Sequence, residues 1–202
     1  MADVVLFHHV MGLTDGVRQF ADKLSSGRHR VHTPDLYAGR VAGSLEEGFA
    51  IRHEIGTETI DARIDAALAG VDDEIVFAGI SMGVMTAQLL AQTRPGAIAA
   101  LLYASCAPIT GEHAFGPWPD GVHVQIHGMD NDEFFAHEGD LDAARELVDI
   151  VGAERAEVFT YPGDQHLFMD NSLATYDADA TALALQRSRH LLDAVGGPAD
   201  QN

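Results

Sequence analysis

The stretch Phe77-Ala78-Gly79-Ile80-Ser81-Met82-Gly83 constrains this chain more than any other. An apolar run from Glu74 to Ile80 ends in Gly-x-Ser-x-Gly, and a helix-like run from Val84 to Arg94 follows. Strand, sharp turn and helix together give the motif its meaning. The turn holds the serine in a strained backbone conformation, so the residues two before and two after it have to be small. The helix behind directs its amide dipoles at the serine oxygen, where negative charge develops during acyl transfer. Ser81 is therefore the candidate nucleophile. The plainer reading is a tight turn whose serine only caps the helix.

The rest of the chain alternates in the same way. Short apolar runs at Val4–Val10, Arg30–Thr33, Ile98–Ala104, Val122–Gly128 and Ala156–Tyr161 read as strands. Helices are predicted from Thr14 or Asp15 to Ser25, with Val17, Phe20, Ala21 and Leu24 on one face, and over Thr57–Ala69, Leu141–Val151 and Leu173–Val195. Leu36–Gly56 is the least periodic part and reads as an excursion with one or two short helices. Alternation of this kind predicts an α/β fold: one mostly parallel sheet, helices on both faces, right-handed crossovers. A single domain is expected over residues 1–196, with a frayed tail over 197–202.

Ligands of such sheets bind beyond the carboxyl ends of the strands. Ser81, the pair Asp130 and Asp132, and His166 all follow strand ends and would emerge at one edge. A serine hydroxyl needs a base for its proton and a carboxylate to orient that base. The order serine, aspartate, histidine is that of α/β-hydrolases. His166 lies in a loop with no ladder to satisfy, and is the base expected among the 11 histidines. Position alone leaves Asp130 and Asp132 both open as the acid.

Several segments together resemble the dienelactone hydrolase family, a compact branch of the α/β-hydrolases. They are His8-His9-Val10-Met11-Gly12-Leu13, Thr33-Pro34-Asp35-Leu36-Tyr37, the Ser81 turn, Asp132-Glu133-Phe134-Phe135 and Tyr161-Pro162-Gly163-Asp164-Gln165-His166. The resemblance runs from Val5 to the final helix. It implies a compact α/β-hydrolase fold and acyl transfer through Ser81, His166 and Asp132. Asp132 is preferred over Asp130 because the family's aspartate precedes an x-Phe or x-Trp pair. It also implies an oxyanion hole from the backbone amides of Val10 and Met82; the part of Met82 follows from the turn geometry as well.

The chain departs from the founding members at three positions. They carry cysteine where Ser81 stands, and glutamate after the first histidine, where His9 stands. An arginine that holds a substrate carboxylate lies four residues beyond their histidine, where Asp170 stands. A carboxylate beside Asp170 would be repelled, so a neutral ester, lactone or thioester is expected rather than a dienelactone. His9, Met11, Tyr37, Trp118, Phe134 and Phe168 are candidates to line the pocket. The alternative reading is a hydrolase-fold protein that binds a small molecule or a protein partner with little or no turnover.

Composition narrows the partners. The formal net charge is −19, with acidic residues spread along the chain, which argues against nucleic acid and anionic membrane surfaces. No apolar run reaches the ~18 residues of a membrane span. The first residues lack a basic leader, and Cys106 is the single cysteine, so a cytoplasmic protein is expected. No cofactor is expected. No metal is expected either, because adjacent strand residues such as His8 and His9 point to opposite faces.

Overall fold

The computed structural model of the chain describes residues 1–71 and 74–197. Its strands are β1 (Asp3–Phe7), β2 (Arg30–His32), β3 (Ile75–Ile80), β4 (Ala97–Tyr103), β5 (His123–Met129) and β6 (Ala156–Tyr161). They form one sheet in the order β2-β1-β3-β4-β5-β6, with every pairing parallel. The helices among the described residues are α1 (Asp15–Ser25), α2 (Leu45–Ile55), α3 (Thr57–Leu68), α4 (Met82–Thr93), α5 (Glu133–His137), α6 (Asp140–Val151) and α7 (Ala178–Val195). From β1 the chain first builds outward to β2, then returns to place β3 on the other side of β1. The crevice where this order reverses lies between the carboxyl ends of β1 and β3. Val10 follows the first and Ser81 the second.

Local chemistry accounts for these elements. β3 is buried along its whole length, as a parallel strand covered on both faces should be. Each of its large apolar side chains contributes about 1.5–3 kcal/mol by leaving water. α1 buries Val17, Phe20, Ala21 and Leu24, the face its spacing predicts, and the Thr14 side chain caps it by accepting from Val17 N. Ser44 caps α2 in the same manner, so the excursion before residue 56 holds one helix of 11 residues.

Three expectations about elements need correction. The first strand ends at Phe7, and His8 to Val10 already belong to the turn over the site. The final helix starts at Ala178, because the Asp177 carboxylate accepts from Ala180 N and fixes the N-terminus there; Leu173 and the residues after it form a loop. The five-residue α5 is too short to show a period in the sequence. The expected tail lies, from residue 198 onward, outside the described residues. Among the described residues no helix is long and apolar enough to cross a membrane.

Two histidines sit inside this core without charge. His8 Nδ1 donates to His9 O at 2.7 Å and its Nε2 accepts from Leu36 N at 3.2 Å. His127 is stacked between Tyr103 and Phe159, with its Nδ1 2.9 Å from Tyr161 Oη. Burial lowers His8 to about 4 and His127 to about 3. In the unfolded chain both take a proton below about 6.5. The unfolded state therefore binds more protons between about pH 6.5 and the folded values, and stability falls as pH drops through that window. The free energy of unfolding from urea titrations is expected to decline by about 3 kcal/mol for each histidine between about pH 7 and pH 4, and the urea midpoint with it. A flat midpoint across that range would contradict the neutral burial of both rings.

Candidate active site

Ser81 sits at φ +50° and ψ −116°, a conformation that costs a non-glycine residue about 1–3 kcal/mol. Close packing around the turn holds it there. A Cβ on Gly79 would collide with the backbone of Gly83, and one on Gly83 would strike the carbonyls of Phe7 and His8. Ser81 N donates to Tyr103 O at 2.7 Å, which ties the turn to β4. The side chain is thereby lifted off the sheet at the N-terminus of α4.

His166 Nε2 lies 2.8 Å from Ser81 Oγ, and His166 Nδ1 lies 2.7 Å from Asp132 Oδ2. Asp132 is 1% exposed and stands at the N-terminus of α5, where its Oδ1 accepts from Phe134 N at 2.9 Å. The Asp132 carboxylate is thus aimed at His166 by the short helix that the sequence did not reveal. Asp130 does different work. It is exposed, and its Oδ1 accepts from Gly163 N at 3.1 Å, while Asn131 N donates to Gly163 O at 2.9 Å. These bonds fasten the loop after β6, which carries His166, to the loop after β5.

A cavity of about 330 Å³ opens over Ser81 and His166 and is lined in part by Val10, Met82 and Phe134. Among the described residues the amides of Val10 and Met82 donate to no group of the chain. The Phe134 ring lies 4.7 Å from the His166 ring. The other pocket candidates lie elsewhere. Tyr37 is buried beneath Met82, with its Oη 3.7 Å from the sulfur. Phe168 is fully buried in the core. Trp118 donates from Nε1 to Val122 O at 2.9 Å and closes a loop. Met11 lines a different hollow with Thr14. His9 is fully buried.

His9 and Asp170, set apart in the sequence as unrelated departures, are partners. His9 Nε2 and Asp170 Oδ2 are 2.8 Å apart and both side chains are wholly buried. Thr14 Oγ1 also donates to Asp170 at 2.5 Å, and Ser172 donates from N and Oγ at 2.8 and 2.6 Å. Burial by itself would raise the Asp170 carboxyl, but the bonds from His9, Ser172 and Thr14 outweigh it and hold it down at about 2. The folded value is depressed, so this carboxylate's contribution is complete above the unfolded value of about 3.9 and is lost as pH falls toward the folded one. Asp170 therefore faces His9 and not the cavity over Ser81, and the expected repulsion of a substrate carboxylate at this position is withdrawn. The pair has a structural use near the site: His9 Nδ1 accepts from Met11 N at 3.3 Å and shapes the turn that presents the Val10 amide. Asp170→Ala is expected to lower the free energy of unfolding by about 3–5 kcal/mol, since it strands a buried partner. Urea denaturation checks this, and a loss below 1 kcal/mol would mean the pair is idle.

The cavity also holds groups that the sequence did not single out. Glu138 and Asp140 line it, as do Leu45, Phe49 and Met85. Asp140 Oδ2 accepts from Ser105 Oγ at 2.5 Å and Cys106 N at 3.2 Å. Burial raises the Asp140 carboxyl, against the opposing pull of those bonds. Ser105 follows the carboxyl end of β4, so the sheet-edge rule that selected Ser81 could have found it. Asp140 falls just before the helix predicted over Leu141–Val151, and nothing in the sequence marks it. Cys106 is buried, and desolvation first and Asp140 second push its thiol far up, which leaves it inert beside the cavity.

A parallel sheet with its order reversing at β1 and β3, and a strained serine turn at that crevice, defines an α/β-hydrolase. The chain belongs to the dienelactone hydrolase family, whose model matches residues 1–196. Solved structures of the same fold include a protein of Klebsiella pneumoniae subsp. pneumoniae described as a dienelactone hydrolase (17% identity, TM-score 0.70, covering 98% of this chain and 88% of that one). A dienelactone hydrolase-like promiscuous phosphotriesterase from metagenomic libraries is similar (18% identity, TM-score 0.70, 96% and 87%). So is a pyrethroid hydrolase (13% identity, TM-score 0.63, 98% and 100%). At these identities the likeness is one of fold. No curated protein matches the sequence.

Proposed function

We propose that this chain is a serine hydrolase that cleaves a small ester or lactone through an acyl-enzyme. The observation that carries the reading is the unbroken run from Ser81 Oγ to His166 Nε2 (2.8 Å) and from His166 Nδ1 to Asp132 Oδ2 (2.7 Å). Asp132 keeps the proton on Nδ1, so Nε2 is free to accept from the serine. Ser81 Oγ attacks the carbonyl carbon as His166 takes its proton. The oxyanion then forms between the amides of Val10 and Met82, each worth about 3 kcal/mol to the barrier. His166 returns the proton to the leaving alcohol, and water repeats the sequence on the acyl-enzyme. The cavity of about 330 Å³ suits a small substrate, and its two carboxylates disfavour one that carries a third. The preference for uncharged over anionic substrates thus rests on Glu138 and Asp140 in place of Asp170.

A fluorophosphonate probe tests the proposal. It is expected to label the wild type at Ser81, and the same protein is expected to hydrolyse short p-nitrophenyl esters. If Ser81 stays unlabelled and no ester is cleaved, the chain is better described as a hydrolase-fold binding protein.

A further inference from the structure

We infer that the esters this site favours carry a positive charge on their alcohol portion, held between the Phe134 ring and the carboxylates of Glu138 and Asp140. The inference rests on the serine-hydrolase reading above and names its substrate class. Both carboxylates share the cavity with Ser81 and His166. Asp140 commits Oδ2 to Ser105 and Cys106, and its Oδ1 takes no hydrogen bond among the described residues. Among the described residues no lysine or arginine lines this cavity; Arg52 lines a separate hollow on the other side of Phe49, Met82 and Met85. The whole chain adds to the local field with its net charge of −19. A cleft lined by one sign of charge concentrates substrate of the other.

The aromatic rings supply the second half of the argument. Phe49 is 59% and Phe134 39% exposed at the cavity, although the fold buries most of its large apolar side chains. The face of such a ring attracts a cation, and the methyl groups of an onium head also gain by covering it. Phe134 and Glu138 are four residues apart, on α5 and its C-terminal cap, the spacing that sets two side chains on one face of a helix. Phe134 packs on His166, which returns its proton to the departing alcohol. This puts the aromatic and acidic wall on the alcohol side of the scissile bond.

The test compares choline butyrate with the butyrate of its uncharged carbon isostere, in which carbon replaces the ammonium nitrogen. The wild type is expected to show a kcat/KM about tenfold higher for choline butyrate at low salt, with the gap closing in molar salt. Glu138→Gln and Asp140→Asn are each expected to reduce the ratio of the two kcat/KM values severalfold. Equal values for the two esters in the wild type, or a ratio that neither variant moves, would overturn the inference and leave the hydrolase reading standing. Hydrolysis of neither ester, with Ser81 unlabelled, would overturn both.

Discussion

Ser81→Ala is expected to lower kcat for a short p-nitrophenyl ester by about 10⁶-fold, near 8 kcal/mol in the barrier. Three features make the serine hard to replace. Its Oγ is 2.8 Å from Nε2 of the His166 imidazole, the base we propose for its proton. The turn holds it at φ +50°, above the sheet and in front of the cavity. Val10 and Met82 line the cavity beside it, and among the described residues their amides donate to no group of the chain. Alanine keeps the Cβ and hence the strained backbone, so the variant should fold as the wild type does. Matched urea midpoints are the control. A variant that folds normally and retains more than a hundredth of the wild-type kcat would remove Ser81 from the chemistry. Another side chain would then have to be found, and Cys106, buried with its thiol pushed far up, is a poor candidate.

How much of this was legible in the sequence depends on the range over which each feature is encoded. The Ser81 turn was legible because strand, turn and helix are contiguous and each has its own local signal. The sheet was legible because alternation with these lengths leaves few topologies. The boundaries were less so: the first strand stops at Phe7 because His8 must turn to reach Leu36 N, and nothing near His8 announces that bond. α5 left no periodic trace in five residues. His9 and Asp170 stood out one at a time, but they are 161 positions apart, and only the fold makes them a pair. The pocket failed for the same reason. Tyr37, Trp118 and Phe168 follow strands or lie in loops near the site by sequence, yet each turns inward. Phe49 and Met85, which line the cavity, read as parts of helices. A side chain's depth at a sheet edge is set by contacts that the linear order does not contain.

The choice between the two aspartates has a sharp consequence. Asp132→Asn is expected to lower kcat by about 10⁴-fold, whereas Asp130→Asn should cost at most about fivefold, the worth of one hydrogen bond. At position 132 the asparagine amide would turn its NH₂ toward His166 Nδ1, because Oδ1 of Asp132 already accepts from Phe134 N at 2.9 Å. The imidazole would then carry its proton on Nε2, the atom that has to accept from Ser81 Oγ, and lie in the wrong tautomer for attack. Burial sharpens the effect: at 1% exposure no water can take the place of the lost carboxylate. At position 130 the asparagine carbonyl can still accept from Gly163 N, so the loop that carries His166 keeps its anchor. The two variants differ by one charge each and by two positions in the chain, so general electrostatics predicts similar losses for both. A tautomer lock predicts a difference of about three decades. If Asp130→Asn proves the more harmful of the two, the acid assigned to His166 is wrong, and the 2.7 Å contact to Asp132 Oδ2 is only the cap of a short helix touching its neighbour.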